Sequence, residues 1–481
     1  VQINYNKLPS LVRETLQGFF HPLAMDIDDL SLLNVINVKL SQLFSAKRIK
    51  FEGNQGQSLI NYYAINICPS GGGKDQSLNL LNKWVFKDFK NDFYKERETF
   101  LDQKETDIRM EACNRYKKNE AKINAYIEEK LGDIRTLHFE ENPKTPEGFY
   151  SSCLGFLNYE QGSVFVRNSE FASTMKNPKP EKLTSYDAIM EASEGNLAVT
   201  TTKGDKKSKQ IEGVPVNVIF VTDGAILVED KKAKDLFLSY LQKGFARRSN
   251  ICYQKFPEIK YQPDFEKAEA DKQQAFRNAR TIAGQLEIIY NKIPFNAVIK
   301  MDIEAKKTLH SYNELCKKQA EELQGNEKDI VLVDIRQRFW KAYKMAALIA
   351  CINNPEKMVV TDQEANMAIY QIELFHQSFK DYIGTKPKAD HEKVYYFLYQ
   401  NQGSWVSKTA LREQNFVHPN NFKKWWEEVY EHVESFAESK GFTLVSEKGK
   451  GIKVNYKLVK NNIGGELSEG TMPPEKMMEV M

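Results

Sequence analysis

Cys68-Pro69-Ser70-Gly71-Gly72-Gly73-Lys74-Asp75-Gln76 stands between an apolar run, Tyr62-Tyr63-Ala64-Ile65-Asn66-Ile67, and a helix-like segment, Ser77-Leu78-Asn79-Leu80-Leu81. Strand, glycine-rich turn, lysine and helix is the order of a phosphate-binding loop. Glycines let successive backbone N–H groups converge on phosphate oxygens, the helix N-terminus adds positive potential, and Lys74 can reach the β- and γ-phosphates. Two positions depart from G-x-x-x-x-G-K-[ST]: Cys68 replaces the first glycine, and Asp75 stands where a hydroxyl holds Mg²⁺. An ordinary glycine turn between strand and helix is the alternative.

Working outward, the chain has 481 residues, too many for one compact core, and a net charge of +3. That charge is too small to imply a nucleic-acid partner, so any such argument must rest on local patches. Cys68, Cys113, Cys153, Cys252, Cys316 and Cys351 are scattered, with no C-x-x-C pair, and read as reduced cysteines of a cytoplasmic protein. No apolar stretch approaches the ~18 residues of a membrane span. The first residue is Val1, which is compatible with a processed form or a fragment of a longer protein.

The pattern divides the chain into an N-terminal helical segment (1–50), a core (51–260), a helical subdomain (261–385), a small C-terminal domain (386–460) and a disordered tail (461–481). Within the core, a charged helical insert covers about 82–140, a solvated helix or helical hairpin. Thr145 and Pro146 open a further helix as N-cap and first residue. Gly162–Phe171 reads as a buried strand ending in polar residues, and Val216–Gly224 as another. Before the latter, Leu197–Thr202 and Lys209–Ile211 flank a basic hairpin tip. Strands separated by helices, with a phosphate loop after the first, predict an α/β fold: a three-layer P-loop NTPase core with helical flanking regions. Pro263–Gln324 reads as helical and charged, and Thr361-Asp362-Gln363-Glu364 caps the helix that follows it. Beyond a linker at Thr385–Lys388, three helices and a hairpin tipped by Gly449-Lys450-Gly451 have the order of a winged helix.

An NTPase needs a carboxylate beside the γ-phosphate to orient water, normally at the end of a neighbouring strand, and Glu170 fits that role. The preceding residue, usually an Asp that helps hold Mg²⁺, is Ser169. The two departures can be one exchange, with Asp75 supplying the carboxylate that Ser169 lacks; the alternative is a decayed ATPase. Thr222 is placed to sense the γ-phosphate or simply to end a strand, and Asp223 competes for that part. In Gly244-Phe245-Ala246-Arg247-Arg248, Arg248 is the candidate for an arginine donated across a subunit interface.

The order of these motifs resembles the phage- and plasmid-encoded, primase-associated P-loop helicases of the AAA+/RecA-like superfamily. It rests on Pro69–Lys74, the charged insert, Thr145–Gly148, Ser169-Glu170-Phe171, Glu194-Gly195 and Gly244–Arg248. The resemblance implies an ATP- and Mg²⁺-dependent DNA helicase that forms a ring, a hexamer, and works beside or fused to a primase in the host cytoplasm. It also implies that the basic hairpin grips single-stranded DNA, with Lys206, Lys207 and Lys209 on the backbone, unless these are a solvated tip. In the winged helix, Lys408, Arg412, Lys423 and Lys424 with the wing lysines Lys448, Lys450 and Lys453 could contact duplex DNA. Glu427, Glu428, Glu431, Glu434 and Glu438 argue instead for a protein-docking wing. A non-hydrolysing initiator or loader, or a structural DNA-binding protein, is the rival reading of the whole chain.

Overall fold

The computed structural model describes residues 3–53, 56–69, 75–117, 119–197, 210–254, 264–323, 326–384, 390–401, 404–413, 422–448 and 454–460. The chain is α/β, with more helix than strand, and divides into two units, Val1–Thr385 and Lys386–Met481. The segments 1–50, 51–260 and 261–385, set apart in the sequence, fall in one unit.

The first unit is organised by four parallel strands: β1 (Tyr63–Cys68), β2 (Val164–Asn168), β3 (Val216–Asp223) and β4 (Ser249–Tyr253), in the spatial order β2-β3-β1-β4. Cys68 pairs with Asp223, Asn168 with Phe220 and Tyr63 with Ser249, so β1, β2 and β3 end along one edge. Outside β2, Glu141 forms a parallel bridge to Val166 and extends the sheet by one position. All six residues of β1 are buried, as expected of a parallel strand covered on both faces. Tyr63, Ile65 and Ile67 join one apolar cluster while Ala64 joins another, so the sheet separates two cores.

One face is covered by helix Leu30–Ser45, every residue of which is buried. Its polar side chains therefore need partners, and two of them, Asn34 and Ser41, find them on the sheet. Asn34 donates to the Asn66 side chain (2.7 Å) and to the Asn250 carbonyl (3.0 Å), and Ser41 donates to Asn217 (2.7 Å). The other face is covered by helices that include Pro146–Tyr159, Phe171–Lys176, Pro180–Glu191 and Lys231–Tyr240. Thr145 Oγ1 accepts from Gly148 N (3.2 Å) with Pro146 at the first helical position, the expected cap.

After the helix Gln76–Trp84, the charged insert is of the helical-hairpin kind, formed by Lys87–Tyr116 and Glu120–Arg135. The two are separated at Lys117, whose φ of 55° cannot continue a right-handed helix. Pro263–Gln324 likewise is not continuously helical. Strand Val298–Met301 interrupts it and pairs with Lys50–Gly53 and Val359–Val360 in a second small sheet completed by Gly56–Leu59. Glu364 reaches back to Thr361 N (2.9 Å), as the capping signal predicts.

The second unit has helices Asp390–Gln400, Lys408–Arg412 and Phe422–Ser439 and a three-stranded antiparallel sheet of Val406–Ser407, Val454–Lys460 and Phe442–Lys448. Val394, Leu398, Leu411, Trp426 and Leu458 form its core. Trp425 is half-buried and donates to Asp390 (2.8 Å), so the tryptophan pair divides between core and surface. Among the described residues no helix is long and apolar enough to cross a membrane.

Candidate nucleotide site

The carboxyl edge of a parallel sheet is where open α/β folds bind ligands, because helix N-termini and loops converge there. β1 delivers Cys68, buried, and Pro69 to that edge; Ser70, Gly71, Gly72, Gly73 and Lys74 lie outside the described residues. The chain resumes at Asp75, with Gln76 opening a nine-residue helix anchored by buried Ser77, Leu78 and Leu81. The backbone after β3 presses closely on this strand end: a Cβ on Gly224 would lie 3.3 Å from Ile67 Cγ2 and 3.5 Å from the Cys68 carbonyl oxygen.

Asp75 and Ser169, 94 residues apart, meet here: Ser169 Oγ donates to Asp75 Oδ1 at 2.5 Å. Arg167, inside β2, donates to the same oxygen at 2.8 Å and to Asn79 at 3.0 Å, and its other guanidinium nitrogen lies 3.7 Å from Glu140. Glu140 in turn accepts from Asn82 (2.7 Å) and from Lys39 (2.9 Å), whose side chain is fully buried. The Lys39 ammonium also sits over the rings of Phe139 and Phe165, 4.8 Å from each centroid. Burial lowers the Lys39 ammonium to about 8 despite the attraction of Glu140. Burial pushes Glu140 up, but Lys39, Asn82 and Arg167 together hold it below the usual range. A chain of alternating charge thus runs from the Leu30–Ser45 helix to the start of the Gln76–Trp84 helix. Arg167, Glu140, Lys39, Asn79 and Asn82 were not candidates from the sequence. The available signal was a cation inside an apolar strand (Arg167) and another inside an apolar helix (Lys39), both of which require partners.

Glu170 is exposed and sits just before helix Phe171–Lys176; its N–H donates to Asn168 Oδ1 (2.8 Å). Thr222 is fully buried and its Oγ1 accepts from Ala172 N (2.7 Å), bracing the helix that follows Glu170. Asp223 accepts from Ala225 N (2.8 Å) and caps the next helix. Arg248 is elsewhere: it immediately precedes β4, at the amino edge of the sheet, and donates to Ser193 Oγ (2.5 Å) and the Gly244 carbonyl (3.3 Å). Burial, and then Arg247, lower its guanidinium below the ordinary value. Arg247 beside it is exposed.

The base of the basic hairpin is an antiparallel pair, Asn196–Leu197 with Ile211–Glu212. Its tip, with Lys206, Lys207 and Lys209, lies outside the described residues, as do Lys450, Lys453 and the 461–481 tail. Lys448 ends the strand Phe442–Lys448. Among the described residues, no group of three or more His, Cys, Asp or Glu side chains is placed to hold a metal ion. The chain matches no protein-family model and none of the curated proteins.

Proposed function

We propose that the first unit is an ATP-binding core of the P-loop type and that the chain is a ring-forming, helicase-like DNA motor with a C-terminal winged helix. The observation that carries this reading is the Asp75–Ser169 contact at the carboxyl edge of the β2-β3-β1-β4 sheet. It joins the residue after the candidate lysine to the residue before the candidate catalytic carboxylate, with carboxylate and hydroxyl exchanged. Asp75 and Ser169 offer oxygen ligands of the kind Mg²⁺ takes, and when bound the ion would neutralise phosphate charge. In this reading, Cys68–Gln76 cradles the phosphates, Lys74 pairs with them and Glu170 orients the attacking water. Thr222 holds the helix after Glu170 in place. Arg248 lies too far along the sheet to serve its own site and is assigned to a neighbouring copy. Three helices with an antiparallel strand pair in the second unit support the winged-helix assignment, and Lys408, Lys423 and Lys424 would face DNA.

One observation favours a second reading, a nucleotide-gated DNA-binding protein without turnover: Arg167 already neutralises Asp75 at 2.8 Å and competes with a metal for it. ATP binding and hydrolysis, measured in Mg²⁺ with and without single-stranded DNA, separate the two. DNA-stimulated hydrolysis lost in Glu170→Gln, with binding lost in Lys74→Ala, supports the motor. Binding without hydrolysis supports the gated protein, and unchanged ATP affinity in Lys74→Ala overturns both.

A further inference from the structure

Arg167 stands between two carboxylates, Asp75 and Glu140, and can serve either. Its main chain is fixed in β2: it pairs with Ile219 of β3, and its N–H donates to the Glu141 carbonyl (2.8 Å). Only the side chain is at liberty to shift, and one helix sets its choices. Asp75, Asn79 and Asn82 follow the i, i+4, i+7 spacing, which places them on one face of the helix Gln76–Trp84 and its cap. Asp75 Oδ1 accepts from Arg167 Nη2 (2.8 Å), Asn79 accepts from Nη1 (3.0 Å), and Asn82 donates to Glu140 (2.7 Å). Glu140 Oε2 lies 3.7 Å from the same Nη1, too far for a hydrogen bond but within the range of an ion pair.

The two carboxylates differ in outlook. Asp75 is the more open, its side chain 34% exposed against 18% for Glu140, and it is bonded to Ser169 (2.5 Å) at the proposed metal position. Glu140 faces inward, where Oε1 already serves Lys39 and Asn82. Arg167 and Lys39 together balance Asp75 and Glu140 charge for charge. A divalent cation on Asp75 would therefore meet a guanidinium bonded to the same oxygen. Like charges a few ångströms apart repel far more strongly in a partly desolvated site than in water. Withdrawal of Arg167 toward Glu140 relieves that contact but leaves the group with an excess of positive charge, which the phosphates of a nucleotide would cancel.

We propose that Arg167 is a built-in counter-ion that keeps Asp75 closed to a divalent cation until a nucleoside triphosphate arrives, and that Glu140 receives its guanidinium when Asp75 is taken. Arg167 is in this role a positioning residue, which decides whether Asp75 Oδ1 is available. The consequence is an order of binding, in which the cation enters with the nucleotide and not before it. The inference rests on the nucleotide reading of this edge. A purely structural role for Arg167, tying β2 to the helix Gln76–Trp84, has the opposite sign: its removal would loosen Asp75 and weaken any cation held there.

The test is titration of the full chain, without nucleotide, with Mn²⁺ as an analogue of Mg²⁺ whose free concentration is read by electron paramagnetic resonance. Arg167→Gln should bind Mn²⁺ at least about tenfold more tightly than the wild type, because a unit charge beside the ion is removed. Asp75→Ser added to that variant should abolish the gain. Arg167→Lys, which keeps the charge, should stay near the wild-type affinity. Asn79→Ala changes an exposed side chain and loosens one of the two anchors of Arg167, so it should shift affinity in the same direction by a smaller factor. Binding of a fluorescent mant-ATP in Mg²⁺ checks the nucleotide reading separately. Mant-ATP bound with no gain of Mn²⁺ affinity in Arg167→Gln and Asn79→Ala would overturn the counter-ion role and leave the nucleotide site standing. A gain that survives Asp75→Ser, or one that Arg167→Lys shares in full, would do the same. No mant-ATP binding would overturn both.

Discussion

Replacing Glu141 by Gln should stabilise the first unit at neutral and alkaline pH and do little in mild acid. Glu141 holds the outermost position of the sheet: its N–H donates to the Phe165 carbonyl (2.9 Å) and its carbonyl accepts from Arg167 N (2.8 Å). The side chain is thereby committed to the interior, where Oε2 accepts from Ser152 (2.5 Å) and Oε1 has no partner among the described residues. Burial raises its carboxyl from 4.5 to about 7, and the single Ser152 hydrogen bond does not offset that. Between these two values the folded state holds a proton that the unfolded chain has lost. Stability therefore falls as pH rises from the unfolded value through the folded one, and is level above it. The penalty of carrying the charged form amounts to about 3 kcal/mol at pH 8 and about 1 kcal/mol at pH 5. Glutamine keeps the shape and an acceptor for Ser152 and has no charge to bury. Its remaining cost is one unpaired amide group, so a net gain of about 2 kcal/mol at pH 8 is expected, shrinking to near zero at pH 5. Denaturant unfolding of the full chain at both pH values, followed by far-UV circular dichroism, measures it. A gain of equal size at both pH values, or a loss at pH 8, would refute the assignment of the penalty to a buried ionised carboxylate.

Two further outcomes follow from close contacts elsewhere. Asp75→Ser should abolish Mg²⁺-dependent hydrolysis by removing the only carboxylate of the Asp75–Ser169 pair, and the reciprocal double variant Asp75→Ser/Ser169→Asp should recover it; hydrolysis unaffected by either change would exclude these two residues from the metal site. Gly155→Ala should cost about 1–3 kcal/mol through overpacking, read as a lower melting temperature, because its Cβ would stand 2.6 Å from the Asp133 carbonyl oxygen of the neighbouring helix; a melting temperature at the wild-type value would show that the helix pair can separate without cost.

Much of the sheet was legible because burial on both faces leaves a continuous apolar record. Tyr63–Cys68, Val164–Asn168 and Val216–Asp223 each read as strands from their own residues. Ser249–Tyr253 did not, since Ser249 and Asn250 break its apolar character. Their main chains are instead fixed from afar, the Ser249 carbonyl by Lys341 (2.6 Å) and the Asn250 carbonyl by Asn34 (3.0 Å). The second sheet joins Lys50–Gly53 to Val298–Met301, a pairing across about half the chain that has no local signature. Caps at Thr145 and Thr361 were readable for the opposite reason, because each is complete within four residues. At the candidate site, the exchange of Asp75 and Ser169 could be suspected from motif positions alone. That Arg167 shares Asp75 could not, because it depends on which face of β2 turns toward the Gln76–Trp84 helix.

The position of Arg248 bears most directly on assembly. β4 runs parallel to β1 with Ser249 opposite Tyr63, so Arg248 lies beside the beginning of β1 while the candidate site lies at its end. Six steps of strand separate Arg248 from the level of Cys68, about 20 Å at the usual rise of a β-strand. An extended arginine cannot bridge that distance along a buried sheet, and Arg248 is already held by Ser193 and Gly244. Any role for it at a bound phosphate must therefore be played on another copy of the chain, with those two contacts exchanged for the neighbour's site. Exposed Arg247, with no such contacts to surrender among the described residues, can make the same reach at lower cost. In either case, the proposed site would be completed only by association, and turnover and assembly would be two readings of one equilibrium.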